Sequence, residues 1–448
     1  MPAAPFAFAV APASGTTLLV NGQSLPMVLA VLGVLLLATL AIRRFSLRLG
    51  APAVLGVLLF GLLLPDRLEL LHETTITNLH TVGLSMLLFF AGLQTELRSI
   101  RGFLEYGVVL AVGGVVVSTA LLGLLIWGGL SLSGPAVPLS AAMLTAACLG
   151  STDAGATLSV LQQVRHRVPE RLRNLLEFES SLNDPAAILF LGLVLGMVSH
   201  GGDRPDQVLL SETRLFIQSI GSGVLLGVLL SYLFRFCLNR LAEQREQLLI
   251  FAIAFAAIAY GTSTILGGSG FICCYVTGLF LSNYNYANPR ISAAALQEVL
   301  APFNTMMEVL IFLVFGLSTD PENALRLLPV GVLAALALML IARPLSVLLF
   351  QPLSPFSRRE SLLVAWCGLR GAVPLALALE LEQVIPGLAG VSPTGAEALA
   401  AGLEGIVVNV VMLNLLLQGM SLPWLSRRLG LQGDGEIGAG APAPSLLP

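Results

Sequence analysis

The chain has 448 residues, 56% hydrophobic and 11% charged, with a formal net charge of -3 at pH 7, whereas soluble domains carry roughly 25% charged residues. With a mean hydropathy of +0.88, it lacks the polar surface of a water-soluble globule, and its five scattered cysteines exclude a disulfide scaffold. All 23 basic residues are Arg and none builds a basic stripe, which excludes nucleic acid as a partner and leaves an all-α polytopic membrane protein.

Residues 1–24 are mildly apolar with no Arg before Arg43, so they lack the charged start of a cleaved signal. They are expected as an outside segment, loose or partly helical. Apolar stretches then predict spans near 25–42, 50–65, 81–97, 106–129, 134–161, 174–199 and 215–234. Further spans are predicted near 247–263, 267–282, 299–318, 327–350, 361–379 and 405–425, thirteen in all. These spans make one transporter domain over 25–429. Residues 430–448, rich in Gly, Ala and Pro, read as a disordered cytoplasmic tail with no soluble regulatory domain after it.

The Arg distribution tests this count. Connectors after odd-numbered spans carry 17 Arg, the opposite connectors four (Arg67, Arg204, Arg214, Arg326), and two lie within spans. Cytoplasmic loops hold the Arg excess, so the N-terminus is expected outside and the C-terminus inside.

Charges within spans mark a substrate path or a protein-facing pair. They are Asp153, Glu177, Glu179, Asp184, Glu308, Arg343 and Arg370. Glu177, Glu308 and Arg343 lie near enough to span ends to reach headgroups, and Arg343, beside Pro344, is expected to snorkel. Asp153 sits in Gly150-Ser151-Thr152-Asp153-Ala154-Gly155, a composition that lets a helix break and expose two half-helix ends. A carboxylate there would compensate a positive helix end and help hold a cation.

The next span reads Glu179-Ser180-Ser181-Leu182-Asn183-Asp184-Pro185. Glu179 shares a helical face with Asn183, and Ser180 with Asp184. Glu179 and Asp184 face different neighbours, so one can take a structural partner while the other lines a path. A carboxylate in such a restricted site can hold either a proton or a metal cation, and that competition is what a proton-coupled carrier requires. Arg370, in Gly368-Leu369-Arg370-Gly371-Ala372-Val373-Pro374, marks a second interrupted helix. A guanidinium stays charged, so Arg370 is read as structural, with Glu179 as its partner. Cys273-Cys274 and the four His have no ligand set around them. Gly267-Gly268-Ser269-Gly270 lacks the Lys of a phosphate loop and is expected to permit close packing or another helix distortion. No cofactor and no resident metal are expected.

These three motifs, in this order and each in its own span, resemble the monovalent cation:proton antiporters, specifically the CPA1 branch with an Asn-Asp pair and, within it, the bacterial potassium/proton group. The resemblance implies the sodium/proton-antiporter fold: inverted repeats, crossed discontinuous helices, and a homodimer in a bacterial plasma membrane. It implies that Asp184 carries the proton or cation beside Asn183, and that Asp153, Thr152 and Ser180 bind the cation. It pairs Glu179 with Arg370 as an internal salt bridge. Asn183, standing where the electrogenic branch has a second Asp, implies exchange of one Na+ or K+ for one H+ without net charge. The sequence departs from many relatives near Phe90, where they place an acid in the third span. The rival readings are a cation channel, which needs a filter or a wetted pore, and a membrane sensor or scaffold that transports nothing.

Overall fold

The computed structural model describes residues 19–20, 23–48, 51–64, 73–133, 138–162, 168–199, 205–286, 291–385 and 393–431. Most of the expected tail and the N-terminal prelude lie outside these residues. The described part of the prelude is a two-stranded antiparallel pair, Leu19–Val20 against Gln23–Ser24, rather than loose helix. Every described secondary-structure element after it is a helix.

The long elements are α1 (Leu25–Arg48), α2 (Ala53–Leu63), α3 (Glu73–Gln94), α4 (Leu104–Ser131), α5 (Leu139–Cys148) and α6 (Ala154–Gln162). They continue as α7 (Glu170–Ser199), α8 (Pro205–Leu241), α9 (Gln247–Ile265), α10 (Gly270–Ser282) and α11 (Ala293–Ser318). The last four are α12 (Leu328–Leu349), α13 (Arg358–Trp366), α14 (Ala372–Val384) and α15 (Pro393–Arg428).

Among the described residues seven helices are long and apolar enough to cross a membrane: α4, α7, α9, α11, α12 and stretches of α8 and α15. Hydropathy alone had counted thirteen. Part of the difference has a physical source, because two expected spans are each a pair of half-helices. The stretch at 134–161 is α5 and α6 with an unwound break at 149–153, and the stretch at 361–379 is α13 and α14 with a break at 367–371. Both breaks are five residues of Gly-containing sequence, where the helical state is weakest. Other apolar helices are short: α2 has 11 residues and α10 has 13, about 16–20 Å at 1.5 Å per residue, against roughly 30 Å of hydrocarbon.

Local chemistry marks the ends. Gly267, at φ 76°, turns the chain between α9 and α10, a left-handed conformation that glycine adopts without steric cost. The expected Gly-run distortion is thus a turn, after which Ser269 caps α10 by accepting from the Ile272 N–H at 3.3 Å. Ser357 and Glu360 form a capping box at α13.

Helix packing repeats itself. α3 packs along α10, and α2 along α11. At the first crossing Gly92 faces the Tyr275 carbonyl and Gly278 faces the Phe89 carbonyl, so close that neither position has room for a Cβ. At the second, a Cβ on Gly61 would meet the Leu313 carbonyl at 2.7 Å, and one on Gly316 the Leu58 carbonyl at 2.5 Å. The two crossings correspond in sequence as well. Phe89-Phe90-Ala91-Gly92-Leu93-Gln94-Thr95-Glu96 aligns with Leu313-Val314-Phe315-Gly316-Leu317-Ser318-Thr319-Asp320. In each copy the Thr hydroxyl donates to the carbonyl four residues back at 3.0 Å.

Candidate functional site

The two breaks meet. The Asp153 N–H donates to the Leu369 carbonyl at 2.7 Å, and Asp153 lies so close over Gly371 that no Cβ fits there. Asp153 Oδ1 also accepts from the Ala156 N–H at 2.9 Å, capping the first turn of α6. A carboxylate at a helix N-terminus is stabilised by the N–H groups left over there.

Each break is held by an asparagine from a long neighbouring helix. The Thr152 N–H donates to Asn183 Oδ1 at 3.1 Å, and Asn183 Nδ2 donates to Thr152 Oγ1 at 2.6 Å. At the matching place in the other break the Arg370 N–H donates to Asn414 Oδ1 at 2.8 Å. Thr152 and Arg370 both stand two residues before the helix resumes, and each asparagine satisfies an N–H that unwinding left free. Ser180 Oγ donates to the Thr152 carbonyl at 2.5 Å. The Arg370 guanidinium, fully buried, donates to the Gly150 carbonyl at 3.1 Å and to the Ser151 carbonyl. It therefore caps the negative end of α5.

The ion pair is not the expected one. Glu179 Oε2 lies 2.9 Å from Nη2 of Arg343, with side chains only 2% and 4% exposed. Arg343 does not snorkel, and Glu179 does not pair with Arg370. A π-helical turn over Leu338–Ala342 inserts an extra residue just before Arg343, which shifts the face it presents; its side chain is buried against Glu179. Arg370 meanwhile is committed to carbonyls. Glu179 Oε1 accepts from Asn183 Nδ2 at 3.3 Å, so Asn183 links the ion pair to the first break.

Four of the expected site residues, Asp184, Asp153, Thr152 and Ser180, line one cavity of about 140 Å³, together with Glu308 and Asn304 from α11. Asn183 is turned away from it toward Thr152 and Glu179. Phe90 also lines this cavity, so the third span contributes an apolar ring to it. A second cavity, of about 290 Å³, adjoins the first through Gln94 and Ser181 and is lined by Glu96, Glu170, Arg173 and Glu177. In it Arg173 and Glu177 pair loosely at 3.8 Å, both about two-fifths exposed. Sequence reasoning missed Asn304, in the apolar α11, and Ser151, in the first break, neutral residues with no charge to single them out. It noticed Glu308 only as a residue within reach of a span end. Among the described residues no group of three His, Cys, Asp or Glu could hold a resident metal ion.

The chain's likeness to known proteins concerns its family and its fold. The transmembrane sodium/hydrogen exchanger family matches residues 32–428. The chain is 30% identical over 436 residues to the K+/H+ antiporter NhaP of Alkalimonas amylolytica, covering 93% of this chain and 69% of that protein. It is 32% identical over 405 residues to the K+/H+ antiporter NhaP2 of Shewanella oneidensis, covering 88% and 66%. It is 28% identical over 427 residues to the Na+/H+ antiporter NhaS2 of Synechocystis, covering 92% and 73%. It thus spans about two thirds to three quarters of the length of these relatives. In fold it is similar to the sodium proton antiporter MjNhaP1 of Methanocaldococcus jannaschii at pH 8, with a TM-score of 0.78 and 20% identity over 90% of this chain and 99% of that one. The chain therefore belongs to the sodium/hydrogen exchanger family, as an integral membrane antiporter of monovalent cations and protons and not an enzyme.

Proposed function

We propose that Asp184 is the carrier: it holds either a proton or one K+ or Na+, and the exchange is one for one without net charge. The supporting observation is the convergence of Asp184, Asp153, Thr152 and Ser180 on one small cavity where two helix breaks cross. The charges around the breaks add up to a carrier. Glu179 and Arg343 cancel, and Arg370 offsets one of the two aspartates, so an empty Asp184 leaves one negative charge. A proton or a monovalent cation neutralises it equally. Moving a neutral assembly across a low-dielectric barrier costs far less than moving a bare charge, so only the loaded forms cross.

In this reading Asn183 is a positioning residue. It fixes the Thr152 backbone, whose carbonyl, beside the Ser180 hydroxyl, faces the ion. The polar second cavity is the cytoplasmic approach, since Arg98, Arg101 and Arg173 lie on the Arg-rich side. Thirteen crossings, with the two pairs of half-helices each counted as one, put the N-terminus outside and the C-terminus inside. A homodimer in a bacterial plasma membrane follows from the resemblance.

The test is the purified protein in sealed liposomes holding a pH-sensitive dye, challenged with Na+, K+ or Li+ with and without a voltage clamp. Cation-dependent proton movement, insensitive to voltage and abolished by Asp184→Asn, is expected. Voltage dependence would overturn the one-for-one exchange. Cation flux without proton movement would favour a channel instead.

A further inference from the structure

Glu308 presents a charge problem that the carrier reading leaves unsolved. It is the sixteenth of 26 residues of α11, mid-helix and therefore deep in the hydrocarbon layer. Intramembrane carboxylates pair with a counter-charge or mark an ion path. Among the described residues Glu308 makes no hydrogen bond or ion pair. The charges acting on it through space are Asp153, of like sign, and Arg43 of α1.

Two neutral oxygens in the same cavity are also left over. Asn304, one turn before Glu308, has a buried Oδ1 with no hydrogen-bond partner. Ser151, 1% exposed, directs its hydroxyl toward Asp184 yet completes no hydrogen bond of ordinary geometry. A buried polar oxygen without a partner costs about 1–3 kcal/mol, so a cavity wall presenting an unpaired carboxylate and two such oxygens favours a cation. Glu308 with two neutral oxygens brings one full charge, the balance a monovalent ion needs, while the cavity's other carboxylates, Asp153 and Asp184, lie on the break and on α7.

The wall bearing Glu308 is not the body bearing Asp184. α11 packs mainly on α2 and α3, whereas Asp184 lies on α7, which packs mainly on α4, α5 and α8. We infer that Glu308, Asn304 and Ser151 form a second cation site, a staging site on the wall facing the carrier, where an entering Na+ or K+ is stripped of water before it passes to Asp184. Ser151 belongs to the break and touches the ion from the carrier's side. Glu308 and Asn304 stay behind when the carrier moves. The inference rests on the reading of Asp184 as carrier.

Equilibrium binding separates the two sites. Binding of radioactive Na+, and of Rb+ in place of K+, is measured on the full chain in detergent. Asp184→Asn protein is expected to retain cation binding that Asp184→Asn/Glu308→Gln loses. In liposomes, Glu308→Gln is expected to raise the apparent KM for the cation about ten-fold, the loss of roughly 1.4 kcal/mol, with a smaller fall in the maximal rate. Glu308→Asp restores most of it, and Asn304→Ala gives a weaker shift in the same direction. Equal binding by the single and double variants, or an unchanged KM in monodisperse Glu308→Gln, would overturn the staging site. Absence of cation-coupled proton movement in the wild type would overturn the carrier reading instead, and the binding comparison would still report on Glu308.

Discussion

Arg343 and Arg370 were distinguishable in the sequence only by context, and the context misled. Arg370 stood among glycines beside a proline, as Asp153 stood among glycines, so it looked like the partner of a buried acid. Helical periodicity says which face of its own helix a residue occupies but not which helix lies opposite. The π-turn ahead of Arg343 leaves no mark in hydropathy. The acids themselves were legible, because a carboxylate in an apolar run stands out from everything around it. The pairing gives a direct test. Arg343→Gln strands Glu179 in the interior and is expected to cost about 3–5 kcal/mol of stability, read as a lowered melting temperature in detergent. Glu179→Gln/Arg343→Gln should recover part of that loss, whereas Glu179→Gln/Arg370→Gln should not. Recovery in the second pair would restore the Glu179–Arg370 bridge.

The elements show where hydropathy sums succeed and fail. It summed α5 with α6, and α13 with α14, into single spans because each half-helix is apolar and each break is only five residues long. The positions of the breaks were nonetheless readable from Gly, Ser, Thr and Pro. The doubling of the α2–α11 and α3–α10 crossings was also present in the letters, as Gly-Leu-x-Thr followed by an acid in each copy. Its acids, Glu96 and Asp320, stand at the ends of spans, and a reading that followed charges deep within spans passed over it. The twofold plan assigns Asn414 the place that Asn183 has in the first half. Asn414→Ala leaves the Arg370 N–H without its acceptor, at about 1–3 kcal/mol. It should lower melting temperature and maximal transport rate together. Because Asn414 does not line the cavity, the apparent cation affinity should stay near that of the wild type; a large change in affinity would refute this assignment.

For the whole molecule, the orientation proposed from the Arg bias makes the wider cavity the cytoplasmic approach. Ser99 is exposed beside the wider cavity and between Arg98 and Arg101. A Ser99→Cys variant should react with a membrane-impermeant maleimide from the cytoplasmic face of sealed vesicles and be protected from the other. Labelling from the outer face alone would invert the topology. Four of the five native cysteines are buried, which keeps the background low.

Gly61, Gly92, Gly278 and Gly316 bring helix backbones together with nothing between them. Side-chain contacts can drift over generations, one bulky residue exchanged for another of similar volume while the neighbours adjust. A contact made of main chain has no such latitude, since every other amino acid adds an atom where a carbonyl already stands. Any larger residue at these four positions is therefore expected to push two helices apart, although none of the four lines the cavity around Asp184. Such a variant would disturb the packing that frames the cavity without touching any group that lines it.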